Sequence, residues 1–178
     1  MSVRLEFPRP QEYTVHEDVR RKIEEQVGNE FHASFTYLSM AGYFEAENLP
    51  GFARWMRTQS EEETEHALKL FDFLVDRGIA PELSALPKPH HAFAGPVDAF
   101  AAAFAHEQSV TKQIHALYEV SLEHKDYSAQ VLLQWFISEQ LEEEKLTGGI
   151  LERLKMSEGS KSALLILDNE LGSRTEDD

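Results

Sequence analysis

Along four long stretches, apolar residues recur at alternating spacings of three and four, the pattern of helices that bury one face. The inward positions of the first stretch read Ile23, Val27, Glu30, Ser34, Tyr37, Ala41, Phe44, and those of the second Phe52, Met56, Gln59, Glu63, His66, Leu70, Phe73. The third gives Phe100, Phe104, Glu107, Thr111, Ile114, Tyr118, and the fourth Leu133, Phe136, Gln140, Glu143, Thr147, Ile150, Leu154. Glycine and proline supply the boundaries. "TVHE" (Thr14 to Glu17) predicts a capping box that opens the first helix, which runs to about Asn48 before "NLPG" interrupts it. The second spans about Phe52 to Arg77 and stops at Gly78, a natural C-terminal glycine. Pro81, Pro87, Pro89 and Gly95 mark residues 79–95 as a long crossover loop, and Pro96 suits the first turn of the third helix. That helix ends around "EHKDYS" (Glu123 to Ser128); the fourth covers about Ala129 to Lys155, and "SEGS" precedes a short fifth over Lys161 to Leu171. No useful β-type alternation is present. The fold class is all-α: one domain over 14–172, a four-helix bundle with a long crossover loop and a short fifth helix, with tails 1–13 and 173–178. The short third connection makes helices three and four antiparallel neighbours, and the long loop lets helix three run parallel to helix two.

Every stripe is apolar at its ends and polar in its middle, with a glutamate on each of the four helices: Glu30, Glu63, Glu107 and Glu143. One such residue alone reads as a side chain that snorkels to the rim. Four at the same level read differently, because no lysine or arginine on the stripes neutralises them. Burying an unpaired carboxylate costs about several kcal/mol, against a domain stability of roughly 5–15 kcal/mol. The bundle therefore needs protons or cations at its centre, and two divalent ions would balance four carboxylates. Glu63 and His66, three apart, share a helix face and can chelate one ion together, while the second oxygen of a central glutamate can bridge to another. Carboxylates with one imidazole and no sulfur suit iron(II), manganese(II) or zinc, and so carboxylate-rich a set also holds iron(III). Tyr37 lies two turns after Glu30, so its phenol should face the carboxylates. His32 and His106 read as packing or surface histidines and Trp135 as a packing residue, while Glu61, Glu65 and Glu144 read as a solvated acidic face.

Composition narrows the partners. The 178 residues carry a formal net charge of −15, which disfavours nucleic acid and anionic membrane surfaces and favours cations. The absence of cysteine excludes thiolate zinc sites, iron–sulfur clusters and disulfides. No apolar run is long enough to span a bilayer, and the opening "MSVRLEFPRPQEY" lacks the apolar segment of a signal peptide, so the expected location is cytoplasmic.

With "GNEFHAS" around Glu30, "ETEH" (Glu63 to His66), "AHEQS" around Glu107 and "QWFISEQLEEEKL" (Gln134 to Leu146), the chain resembles the bacterial non-haem ferritins over about residues 15–171. Carboxylate-bridged di-iron bundles supply a lone glutamate from each of two helices and Glu-x-x-His from the others. Here the fourth helix departs from that pattern, with "QLEE" (Gln140 to Glu143) placing a glutamate where bacterioferritins and rubrerythrins have histidine. Thr64 stands where bacterioferritins similar to this chain place a haem-ligating methionine, so no haem is expected. The resemblance implies a ferritin-like fold and a ferroxidase that oxidises iron(II) with dioxygen or hydrogen peroxide and stores ferric oxyhydroxide inside a homo-oligomeric cage of 24 subunits. It implies a first iron site of Glu30, Glu63 and His66, and a second sharing Glu63 and adding Glu107 and Glu143, with Gln140 close by. A third site toward the cavity falls on Glu62, Glu139, Glu142 and Glu143, and Tyr37 and Trp135 match aromatic positions near the centre. Gln130 and Leu133 align with the carboxylates of the animal-type three-fold channel, so that channel is not evident. Two other readings use the same features: a soluble di-iron peroxidase-like enzyme acting as a small oligomer, and a metal-free bundle with its glutamates at the rim.

Overall fold

A computed structural model describes residues 15–173. Five helices follow in order: α1 (Glu17–Ala46), α2 (Pro50–Asp76), α3 (Pro96–Glu123), α4 (Tyr127–Met156) and α5 (Lys161–Gly172). No described helix is long and apolar enough to cross a membrane. Local chemistry explains most boundaries. Pro50 and Pro96 open α2 and α3, where a missing N–H costs nothing. Asp126 caps α4 by accepting the Ala129 N–H at 3.1 Å, and Ser160 caps α5 through the Ala163 N–H at 3.3 Å. After α2 the chain turns at Gly78, whose φ of 76° only glycine adopts without strain.

The start of α1 differs from the capping box expected at Thr14, which lies outside the described residues. His16 is the N-cap, its Nδ1 accepting the Asp18 N–H at 3.3 Å, and Glu17 pairs forward with Arg20 at 3.1 Å instead of reaching back. An imidazole nitrogen has a lone pair, so it replaces the hydroxyl oxygen of a serine or threonine cap.

The helices pair antiparallel within each hairpin. Phe44 stacks on Phe52 and Ser34 Oγ lies 3.0 Å from Ser60 Oγ, so α2 runs back along α1. Gln26 meets Gln113 while Phe44 meets Phe100, so α1 is also antiparallel to α3, which leaves α3 parallel to α2 as the long crossover predicts. The buried faces form two apolar clusters. One holds Phe44, Phe52, Trp55, Met56, Phe100 and Leu154; the other holds Val19, Ile23, Leu70, Ile114, Leu133 and Phe136. Between them lies a polar belt.

All inward positions expected on α1 and α4 are buried. On α3 the pattern slips: Ala103, Val110 and Leu117 are buried, and Phe104, Thr111 and Tyr118 stand half-buried beside them. On α2 Leu74 replaces Phe73 at the last turn. A straight helix repeats every 3.6 residues, so a strict heptad spacing drifts by about 20° per heptad and slides toward the edge of the face over several turns. Leu133, aligned above with a channel carboxylate, is fully buried in the bundle core, and half-buried Gln130 donates to the Ser121 carbonyl at 3.1 Å.

Helix α5 packs on the start of α2. Buried Asp168 accepts the Phe52 N–H at 2.9 Å, satisfying one of the free N–H groups of the first turn of α2. The approach is so close that a Cβ on Gly51 would sit 1.7 Å from the Asp168 carbonyl oxygen. Gly51→Ala is expected to cost about 1–3 kcal/mol or to detach α5; urea denaturation with loss of α5 amide protection measures it, and an unchanged midpoint contradicts the contact.

Candidate metal centre

Four helices contribute to the polar belt, and each supplies side chains from the middle of its buried face. Glu30, Glu63, His66, Glu107, Gln140 and Glu143 are all at most 5% exposed, which decides between an interior site and a rim. Acceptor atoms of Glu30, Glu63 and His66 lie within 4.8 Å of one another, and His66 Nδ1 is 3.3 Å from Glu63 Oε2. Glu107 accepts hydrogen bonds from the Tyr37 hydroxyl on one oxygen and from Gln140 Nε2 at 3.1 Å on the other. Gln140 also donates to the Glu107 carbonyl at 3.3 Å. Glu143 stands one turn beyond Gln140.

Electrostatics describe a centre that lacks positive charge. Burial and the neighbouring Glu63 push Glu30 well above the usual carboxylate range. Burial, with Glu107 and Glu143, does the same to Glu63, and burial raises Glu107 despite its two donors. Glu143 is pushed up to about 8 by burial first, then by Glu107, Glu62 and Glu139. Tyr37 is raised by burial and by the carboxylate it faces, so its phenol stays protonated and donates.

The donor set fits cations. Glu63 Oε2, His66 Nδ1, Glu143 Oε2 and Gln59 Oε1 are buried without a hydrogen-bond partner, although buried polar atoms are normally satisfied. Unshared lone pairs on two carboxylates and an imidazole, converging among further carboxylates, are what a hard or borderline divalent ion coordinates.

Of the residues expected in the third site, Glu62 and Glu139 are half-buried and close enough to Glu143 to raise it, whereas Glu142 is exposed. Glu62 also accepts from Gln59 Nε2. Trp135 packs edge-on against the His66 ring with centroids 5.4 Å apart and carries Lys69 Nζ over its face at 3.9 Å, a wall for the imidazole. His106 is largely buried, edge-on to Tyr37 at 6.4 Å and beside His32 at 6.5 Å, and burial lowers it to about 4. It therefore packs as a neutral ring, as expected. Gln26 was not singled out by the pattern, yet it is buried and donates to Glu30 at 2.9 Å. Its position four residues before Glu30, one turn away, was the available signal. Thr147 likewise binds the Glu143 carbonyl at 2.6 Å. A separate cavity of about 640 Å³ lies between the start of α3 and the α4–α5 turn, and none of these residues lines it.

A family model described as a ferritin-like domain matches residues 20–157, a span that contains the whole belt. The chain belongs to the ferritin family. Among solved structures, this ferritin chain superposes on the open pore ferritin of the archaeon Archaeoglobus fulgidus with a TM-score of 0.90 and 40% identity, covering 91% of this chain and 100% of that one. Among curated proteins it is 34% identical over 160 residues to the bacterial non-heme ferritin of Bacteroides fragilis, covering 90% of this chain and 99% of that protein. It is 32% identical over 156 residues to the bacterial non-heme ferritin of Staphylococcus aureus, covering 88% and 94%. As a ferritin the chain is an iron-storage protein, and the all-α bundle with a short fifth helix agrees with the fold that its sequence predicts.

Proposed function

We propose that this ferritin is a ferroxidase that oxidises iron(II) at a centre within each subunit and stores the product as ferric oxyhydroxide inside a homo-oligomeric cage of 24 subunits in the cytoplasm. The observation that carries the reading is the buried, cation-deficient belt with its unpartnered Glu63, His66 and Glu143 atoms. Iron is here the substrate. One ferrous ion takes Glu30, Glu63 and His66; the second takes Glu107 and Glu143 and shares Glu63 as a bridge. Gln140 and Tyr37 hold Glu107 in place from opposite sides, and the Tyr37 hydroxyl is the proton donor nearest to that carboxylate. Each iron(II) loses one electron to a shared oxidant, dioxygen or hydrogen peroxide, and the surrounding carboxylates favour the higher charge of iron(III). Glu62, Glu139, Glu142 and Glu143 provide a route by which product leaves the centre toward the cavity. A carboxamide at Gln140, a poorer ligand than a carboxylate, leaves the second ion more loosely held, as suits a substrate that moves on.

Assembly is supported by the family and by the surface of a single chain. Tyr127, Val131, Leu141 and Met156 are each more than two-thirds exposed, at 71%, 69%, 75% and 86%. Tyr127 and Val131, four apart on one face of α4, offer apolar contact surface to a neighbouring copy.

An anaerobic iron(II) titration followed by an oxidant pulse, with particle size measured on the same sample, tests the reading. Two ions per chain in the belt, the second held more weakly than the first, rapid oxidation and a hollow particle of 24 chains are expected. A dimer-sized particle that holds two irons and forms no mineral would instead establish the peroxidase-like alternative.

A further inference from the structure

We propose that His16, Asp18 and His124 form a separate site for a borderline divalent transition-metal ion, at the end of the bundle where α1 begins and α3 gives way to α4. Asp18 Oδ2 lies 3.5 Å from His16 Nδ1 and 3.4 Å from His124 Nε2, and donor atoms of the three residues all fall within 4.8 Å of one another. Ligands at about 2.0–2.2 Å from a tetrahedral ion are separated by roughly 3.3–3.6 Å. Both carboxylate–imidazole separations already match that spacing. The other Asp18 oxygen is turned toward Arg21 Nη2, 3.8 Å away, which leaves Oδ2 facing the two rings.

The two imidazoles stack with centroids 3.6 Å apart and planes 13° from parallel. The stack brings the rings together before any ion arrives, and because each lone pair lies in its own ring plane, chelation requires these partly exposed rings to unstack and turn toward Asp18 Oδ2. His16 Nδ1 also accepts the Asp18 N–H, but at 3.3 Å that bond is at the long end of the range and yields readily to a metal. Two nitrogens and one carboxylate, with water free to fill the open positions, select iron(II), zinc(II), cobalt(II) or nickel(II) over calcium and magnesium, which prefer oxygen. The acidic chain, at −15, concentrates such cations at its surface.

Along α1, His16 precedes Glu30 by 14 residues, roughly 21 Å of helix, so the site is distinct from the belt. Its ligands come from the two sides of the bundle end, His16 and Asp18 at the start of α1 and His124 just after α3. An ion here is therefore a clamp that ties the beginning of α1 to the α3–α4 turn.

The assembled full-length protein carrying Glu63→Ala with His66→Ala, which removes the belt's imidazole, is loaded anaerobically with zinc(II) and examined by zinc-edge X-ray absorption and calorimetry. One zinc per chain with the backscattering of two imidazoles is expected. Adding His16→Ala with His124→Ala should abolish the imidazole signal and weaken that binding at least tenfold, and Asp18→Asn should weaken it while the fold, checked by circular dichroism, is kept. Zinc bound without imidazole backscattering, or a signal that survives loss of both histidines, overturns the proposal.

Discussion

Glu63→Ala combined with His66→Ala lowers the initial rate of iron(II) oxidation by at least about a hundredfold while the particle still assembles. These two side chains face each other at 3.3 Å across one helical turn, and both carry a buried atom with no hydrogen bond. Under the proposed assignment, removing them deletes the ligand that two ions share and the belt's imidazole. Losing even an outer supporting residue of a metal site commonly costs 10–100-fold, so the loss of two direct ligands exceeds that range. The residues that build the helices are untouched: Leu70, Met56 and Phe136 remain to fill the core around the gap. Stopped-flow absorbance after mixing with iron(II) and dioxygen reads the rate, and size-exclusion chromatography reads the assembly. Oxidation at the wild-type rate in an intact particle would move the centre elsewhere.

The second expected result concerns protons. In the metal-free chain Glu30, Glu63 and Glu107 are held above their ordinary range, and Glu143 is held at about 8, each chiefly by burial. In the unfolded chain these carboxyls titrate near 4.5. Between pH 4.5 and 8 the folded state therefore binds more protons than the unfolded state, so stability falls as pH rises through that window. For Glu143 the stabilisation is fully present below about 4.5 and is lost on passing about 8, a change on the order of a few kcal/mol, and the other three add to it in the same direction. Divalent ions replace the protons. Anaerobic binding of iron(II) or zinc(II) at pH 7 should release about two or more protons per chain and flatten the stability profile. Urea denaturation from pH 5 to 8.5, with and without zinc(II), measures the slope, and an indicator dye counts the protons. A flat profile without metal, or binding without proton release, contradicts a cation-deficient belt.

Two aspects of the centre were hidden in the linear pattern. A heptad reading treats each helix alone, and α3 showed its weakness: Phe104, Thr111 and Tyr118 were expected inside, whereas the face between α1 and α4 takes Ala103, Val110 and Leu117. Glu107 survived the slip because it lies where both readings of the face coincide. Supporting residues were the other blind spot. Gln26 donates to Glu30 and Thr147, itself on the inward stripe, binds the Glu143 carbonyl; their spacing to a stripe glutamate was the only signal of a supporting role.

The sequence by itself determined the number and order of helices, the long crossover, and one glutamate at mid-height on each of four apolar stripes. These follow from periodicity, proline and glycine placement and the cost of burying charge, all of which act locally. Only the tertiary structure decided which carboxylates meet. Whether Tyr37 and Gln140 both reach Glu107, whether His66 turns toward Glu63, and whether Glu62 and Glu139 come near Glu143 depend on how helices rotate about their axes when packed. The same holds for His16 and His124, 108 positions apart and in ring contact, since no local pattern records a neighbour brought by the fold.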